Sequence, residues 1–312
     1  MLPSDQMPTW DEILKEAQDP NDPNLLAVDP VRRKYLSLLH SHTGRNVISY
    51  YSAWLDRTGV KYLTIEDQDK NAFMRSIQGM DKTKGLDLIL HTPGGDIAAA
   101  ESLVEYLWLI FGKDIRVVVP QLAMSAGTMI ACSAKSIVMG KHSSLGPIDP
   151  QYGGIPAHGV IEEFARAIAE VTTNQASAMI WGQVISKYQP TFLGQCEKAV
   201  AWSRDMVTTW LTENMFGGDP LASAKASRIV AELNDPGQMK THNRHLSASK
   251  CQQMGLSIEK LEDDPILQEL VLSIHHSSML TFAVDQTVSK IIENHFGNPT
   301  VFVDDSAVQS QT

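Results

Sequence analysis

Two short tracts carry residues whose types and spacing can do chemistry. The first is Leu90-His-Thr-Pro-Gly-Gly-Asp96, where an apolar run ends and paired glycines lead into a helix-like segment. Gly94 and Gly95 can take backbone conformations barred to other residues, and no side chain covers their N–H groups. Donors of that kind beside a helix N-terminus bind an anion, or the oxyanion formed when a carbonyl is attacked. The second tract is QLAMSAGTMIAC, Gln121 to Cys132, with Ser125 between the β-like run Ile115 to Val119 and a small apolar run. A serine there either caps the helix or presents a nucleophilic hydroxyl, with the N–H of Ala126 as a further oxyanion donor. Each tract alone also reads as an ordinary turn or cap. In an open α/β sheet both lie at the carboxyl ends of neighbouring strands, where ligands bind, and the pair is far more specific than either.

The elements needed to position these tracts are legible around them. Strands are predicted at Asn46 to Tyr51, Leu86 to Leu90, Ile115 to Val119 and Ser136 to Met139. Helices are predicted between them at Glu66 to Met80, Asp96 to Phe111 and Ser125 to Ala134. That alternation implies parallel pairing through right-handed crossovers. Upstream, Thr9 and Glu12 form a capping box before Ile13 and Leu14. Downstream, a mostly helical stretch over about 160–235 follows Gly153-Gly154, with its clearest periodicity from Cys196 to Met215. Leu246 to Gly255 has the features of a helix start with a glycine stop, and Pro265 to Asn294 reads as a further long helix. The resulting division is an N-terminal arm (1–44), an α/β body (45–264, helical insertion about 157–235), a C-terminal helical arm (265–299) and a polar tail (300–312).

Composition narrows the partners. With 26 basic against 36 acidic residues the net charge is −10, which disfavours nucleic acid or an anionic membrane as the main partner. The only basic run is Arg32-Arg33-Lys34. Cys132, Cys196 and Cys251 fit no zinc spacing and no disulfide framework, so no metal is expected. The polar N-terminus and the short apolar segment at Leu103 to Gly112 point to a soluble, cytoplasmic protein.

The tracts HTPGGDIAAAE, MSAGTMIACSAKSIVMGKHSSLGPIDPQ and HNRHLSASKCQQMGL together resemble the serine dehydrogenase proteinase (SDH-type) family, relatives of signal peptide peptidase A. The resemblance implies the Clp-protease/crotonase fold, a spiral of βα units with mainly parallel strands, here with helical additions and terminal arms. It further implies a serine endopeptidase with Ser125 as nucleophile and an oxyanion hole from Gly94 or Gly95 with Ala126. A homo-oligomer and a polypeptide substrate are expected on the same ground. The apolar segments at 160–235 and 265–294 would suit its interfaces. No Walker-type loop is present and no cofactor is expected.

A serine hydroxyl needs a base. Where the Clp subunit carries its histidine, this chain has Ile148 or Asp149, and His142 lies nearer the preceding strand. For a Ser-Lys dyad, the first lysines after Asp149 are Lys187 and Lys198, and burial would have to favour the neutral amine. Arg166 can only bind or orient, because it does not deprotonate. For a Ser-His arrangement, Asn243 falls at the place of the Clp triad aspartate. His242 beside it becomes the base, with Asn243 or Asp149 orienting it. His91 is close to the glycine loop but reads as packed at the strand end. Two rival functions share the scaffold: a crotonase-like acyl-thioester enzyme, whose glycine loop would hold an enolate, and an inactive oligomeric scaffold.

Overall fold

A computed structural model of the chain describes residues 9–18, 26–235 and 244–304. The chain begins with α1 (Trp10–Ala17) and α2 (Val28–Thr43). Thr9 and Glu12 close the expected capping box: the Glu12 N–H donates to Thr9 Oγ1 at 3.3 Å and the Thr9 N–H to the Glu12 carboxylate at 2.7 Å. The second helix was not foreseen, although Val31, Tyr35, Leu36 and Leu39 recur at helical spacing and all are buried. Then come β1 (Asn46–Ser52), α3 (Asp67–Ile77), β2 (Leu86–His91), α4 (Ile97–Phe111), β3 (Ile115–Val119), β4 (Leu122–Ala123), α5 (Ala126–Cys132) and β5 (Ser136–Met139). Apart from the two-residue β4, this is the alternation predicted from the sequence.

The second half supplies β6 (Ser144–Leu145), β7 (Gln151–Tyr152), β8 (Ile155–Pro156) and four helices: α6 (Ala157–Thr173), α7 (Ala178–Ile185), α8 (Phe192–Trp210) and α9 (Ala222–Leu233). It continues through β9 (Leu246–Ser247), α10 (Ala248–Met254), β10 (Ile258–Lys260), α11 (Pro265–Val284), β11 (Val288–Asn294) and β12 (Pro299–Val303). The long helix expected to Asn294 therefore ends at Val284. Asp285 Oδ1 accepts from the Thr287 N–H at 2.9 Å and from its hydroxyl at 2.7 Å, closing a turn. Beyond it the apolar residues pair as a strand with β1. A short apolar run satisfies either period, and here tertiary pairing decides.

The main sheet runs β10-β5-β3-β2-β1-β11-β12. Strands β1, β2, β3, β5 and β10 are parallel, and β11 and β12 extend the sheet antiparallel beyond β1. Its central strands are buried on both faces, which explains their near-continuous apolar sequences. On one face Leu88, Leu90, Val117, Val119 and Met139 pack with α3, α4 and α5. On the other, Val47, Tyr51, Ile89, Val118 and Val138 pack with α1, α2 and α11. The apolar stripe of α11 (Leu267, Leu270, Val271, Ile274) is thus covered within the chain rather than left for an oligomer interface. Of the basic run, Arg32 is internal and Arg33 partly so, while Lys34 is exposed. Arg32 is fully buried and joins α2 to Glu293 of β11 at 2.6 Å, with Arg33 bonding the same carboxylate at 2.8 Å.

Candidate active site

The two tracts meet at the carboxyl ends of β2 and β3. The Thr92 N–H donates to Leu122 O at 3.1 Å and the Met124 N–H to Thr92 O at 3.0 Å, stitching one junction to the other. Gly94 has φ +97°, and a Cβ there would lie 2.7 Å from both Met124 O and Ser125 Cβ. Gly95 has φ +157°, and its Cβ would fall on the backbone of Ile65, 2.8 Å from Cα and closer still to N and O. Glycine is required at both positions, once for conformation and once for space. The Gly94 N–H is already used, donating to Thr92 Oγ1 at 3.1 Å. The N–H groups of Gly95 and Ala126 donate in no loop or cap hydrogen bond of the described residues.

Ser125 stands at the N-cap of α5 with φ +51° and ψ −118°, and its side chain makes no capping hydrogen bond. The backbone lies in a region that non-glycine residues pay about 1–3 kcal/mol to occupy. The turn is held by Thr128, whose hydroxyl donates to Ala123 O at 2.8 Å and accepts from the Gly146 N–H at 2.9 Å. Gly127 admits Thr92 against the helix, where a Cβ would clash with Thr92 Cγ2. A serine that only capped would sit in extended backbone with its oxygen on the second or third N–H of the helix. Ser125 does neither; the geometry is that of a strained turn presenting a hydroxyl.

The hydroxyl opens into a cavity of about 310 Å³ lined by Gly95, Asp96, Ser125, Pro150, Tyr152, Lys198 and Trp202, among others. Lys198, on α8, is exposed and has no ion pair or hydrogen bond among the described residues. Lys187 follows α7, is exposed, and does not line this cavity. His242 and Asn243 lie outside the described residues. Asp149 is half-buried, beside the cavity residue Pro150. Burial pushes its carboxyl up, and the nearby His158 imidazole pulls it back. His158 was not foreseen; its Nε2 is buried without a partner among the described residues, and its main-chain N–H makes a long 3.5 Å contact with Asp149 Oδ1. Arg166 is exposed and paired with Glu170 on its own helix. His142 is exposed, at the turn after β5.

His91 is fully buried on the opposite face of the sheet, its ring against Tyr51, Trp54 and His275. Its Nε2 lies 3.2 Å from the Gln121 side-chain oxygen, and burial pushes its pKa down to about 4. Among the described residues no group of three or more His, Cys, Asp or Glu is placed to hold a metal ion, and no helix is long and apolar enough to cross a membrane.

The model of the ClpP-like SDH-type serine proteinase family matches residues 53–271, well over half of the chain. The chain belongs to that family. Two proteins of Methanocaldococcus jannaschii, both named only as uncharacterized, are similar to this family member. MJ0137 is 39% identical over 199 residues, covering 64% of this chain and 61% of its own length. MJ1495 is 29% identical over 198 residues, covering 64% and 59%. The match thus spans about three fifths of the curated relatives' length. A solved structure, a variant of the 1510-N membrane-bound stomatin-specific protease, shares 16% identity at a TM-score of 0.38, covering 62% of this chain and 74% of that one.

Proposed function

We propose that the chain is a serine peptidase that cleaves peptide bonds through an acyl-enzyme at Ser125. The observation that carries this is the Ser125 turn: positive φ, hydroxyl uncapped, cavity-facing, beside two unused N–H groups. Ser125 Oγ attacks the scissile carbonyl carbon as a base takes its proton. The carbonyl oxygen becomes an oxyanion held by the N–H groups of Gly95 and Ala126. Collapse breaks the C–N bond, the protonated base delivers its proton to the leaving amine, and water then releases the acyl group by the reverse sequence.

For the base we favour His242, oriented by Asp149. In support, strand β9 lies antiparallel to β6 with Leu246 opposite Leu145, so the described residues just before it, Arg244 and His245, lie on the Gly146 side of that pair. Burial is what fits a lysine for this role, and Lys198 is exposed; we assign its ammonium to the substrate, near a backbone carbonyl or a carboxylate. Ile168, Met179 and Ile180 on α6 and α7 are 70%, 83% and 69% exposed, and we assign that surface to contact between copies of the chain.

The test is fluorophosphonate labelling together with cleavage of a peptide library. Ser125→Ala abolishes both, with turnover falling by about 10⁴-fold or more and an unchanged circular dichroism spectrum. His242→Ala falls as far, Lys198→Ala chiefly raises KM, and Lys187→Ala is neutral. Labelling that survives in Ser125→Ala rejects the reading. A profile in which Lys198→Ala is dead and His242→Ala active moves the base to the lysine.

A further inference from the structure

Lys290 is a lysine with no access to solvent, at 0% exposure on β11. Its ammonium has three donors, and three acceptors meet them: Asp69 Oδ1 at 2.6 Å, Thr64 O at 2.8 Å and Glu66 Oε1 at 3.3 Å. Tyr50 completes the pocket by donating to Asp69 Oδ2 at 2.9 Å, and the Phe302 ring lies 4.8 Å from the ammonium. Burying an ion pair is costly and adds little net stability compared with a packed apolar pair. Two of the three bonds neutralise charge. The third goes to a main-chain carbonyl, and what that carbonyl holds is informative.

Thr64 precedes Ile65, whose backbone is a one-residue bridge against the glycine loop. The Ile65 N–H donates to Gly94 O at 2.8 Å, and the Asp96 N–H donates to Ile65 O at 2.9 Å. These bonds grip the loop on both sides of Gly95 and leave the Gly95 N–H unused. Paired glycines have wide conformational freedom, so an unbraced loop would spend time with that N–H turned away. Oxyanion stabilisation depends on donors fixed in place before the charge appears. We infer that Lys290 is a positioning residue for the oxyanion loop, acting through Thr64 and Ile65 to fix the Gly95 N–H toward the Ser125 cavity. The inference rests on the reading of Ser125 as nucleophile, and it adds a residue from the far end of the chain to that site.

The experiment uses Lys290→Met combined with Asp69→Asn, so that no buried charge is left unpaired. Two readouts are taken on the full chain. In peptide cleavage and fluorophosphonate labelling at Ser125, kcat and the labelling rate fall about 10–100-fold while KM stays within about twofold. In amide hydrogen exchange, Ile65 and Asp96 exchange at least about tenfold faster while Val117 in the sheet core is unchanged. If the methionine variant does not fold, Lys290→Gln with Asp69→Asn is measured instead; its amide ends one bond short of the ammonium and gives changes in the same direction. A folded variant with wild-type exchange at Ile65 and Asp96 overturns the brace whatever happens to activity. Faster exchange with wild-type kcat overturns the link to catalysis. Failure of the wild type itself to label removes the nucleophile reading, and the exchange result still decides whether the brace exists.

Discussion

The Ser125 turn and the sheet face covered by α2 and α11 use their polar groups in opposite ways. At the turn the main chain leaves groups open: the Gly95 and Ala126 N–H groups lack loop or cap bonds, and the hydroxyl stands on strained backbone beside a cavity. On the face covered by α2 and α11, polar groups are paired or kept uncharged. Arg32 is locked to Glu293, while burial pushes both His91 and His275 down. His91 immediately precedes the Thr92–Gly95 loop, yet it belongs to the second face, because successive strand residues point to opposite sides. Proximity in sequence to the glycine loop is therefore no guide to membership of the candidate site; the parity of the strand residue is.

The sharpest way to break this contrast is to close one of the open groups. Gly95→Ala puts a Cβ onto the Ile65 backbone, which cannot yield as a flexible side chain would. The loop must shift and carry the Gly95 N–H with it. Turnover falls about 10²–10³-fold, the cost typical of losing one oxyanion donor. Gly94→Ala meets Met124 O and Ser125 Cβ and so disturbs the serine itself. Steady-state kinetics of both, with melting temperatures, check the claim. A Gly95→Ala enzyme with wild-type kcat would show that this N–H is not used.

What could be read from the sequence follows the same division. The parallel strands β1, β2, β3 and β5 were legible because burial on both faces leaves apolar runs, whereas the three-residue, largely exposed β10 was not. Gly94, Gly95 and Ser125 were legible because each answers a local backbone demand. The two-residue strands β4, β6, β7, β8 and β9 were not, since they are too short to show a period. Neither was Ile65, which braces Gly95 through main-chain atoms that any residue carries, nor Lys290, which reaches the loop only once β11 pairs with β1. The candidate bases stayed open because the α6–α9 segment separates Ser125 from His242, and no local pattern reports a contact across it.

The second face is tested by acid. His91 has an ordinary pKa of 6.5 that burial lowers to about 4 in the folded chain. Below 6.5 the unfolded chain takes up the proton and the folded chain does not. Stability is therefore complete above 6.5 and is lost as pH falls toward 4, by on the order of 3 kcal/mol from this residue. His275, lowered in the same direction, adds to the loss. In His91→Gln the fall in denaturation free energy between pH 7 and pH 4.5 becomes shallower, while activity at pH 7 changes little. An equally steep fall in that variant would mean that the imidazole of His91 is not held neutral by the fold.

The smallest expected effect isolates the strain at Ser125. Ser125→Ala and Ser125→Gly both remove the hydroxyl and both inactivate, but they differ at the backbone. Alanine keeps a Cβ at φ +51°, ψ −118°, whereas glycine enters that region freely. Relief of about 1–3 kcal/mol of strain is partly offset by roughly 0.5–1 kcal/mol for the greater freedom of glycine in the unfolded chain. The glycine variant should therefore be more stable than the alanine variant by about 1 kcal/mol, read as a higher denaturation midpoint at unchanged slope. An ordinary cap also prefers glycine to alanine, so the discriminating comparison is alanine against serine: losing a cap costs about 0.5–2 kcal/mol, whereas Ser125, whose hydroxyl bonds no helix N–H, loses little. Alanine as stable as serine, with glycine more stable than both, separates a turn built to expose a hydroxyl from a serine that caps a helix.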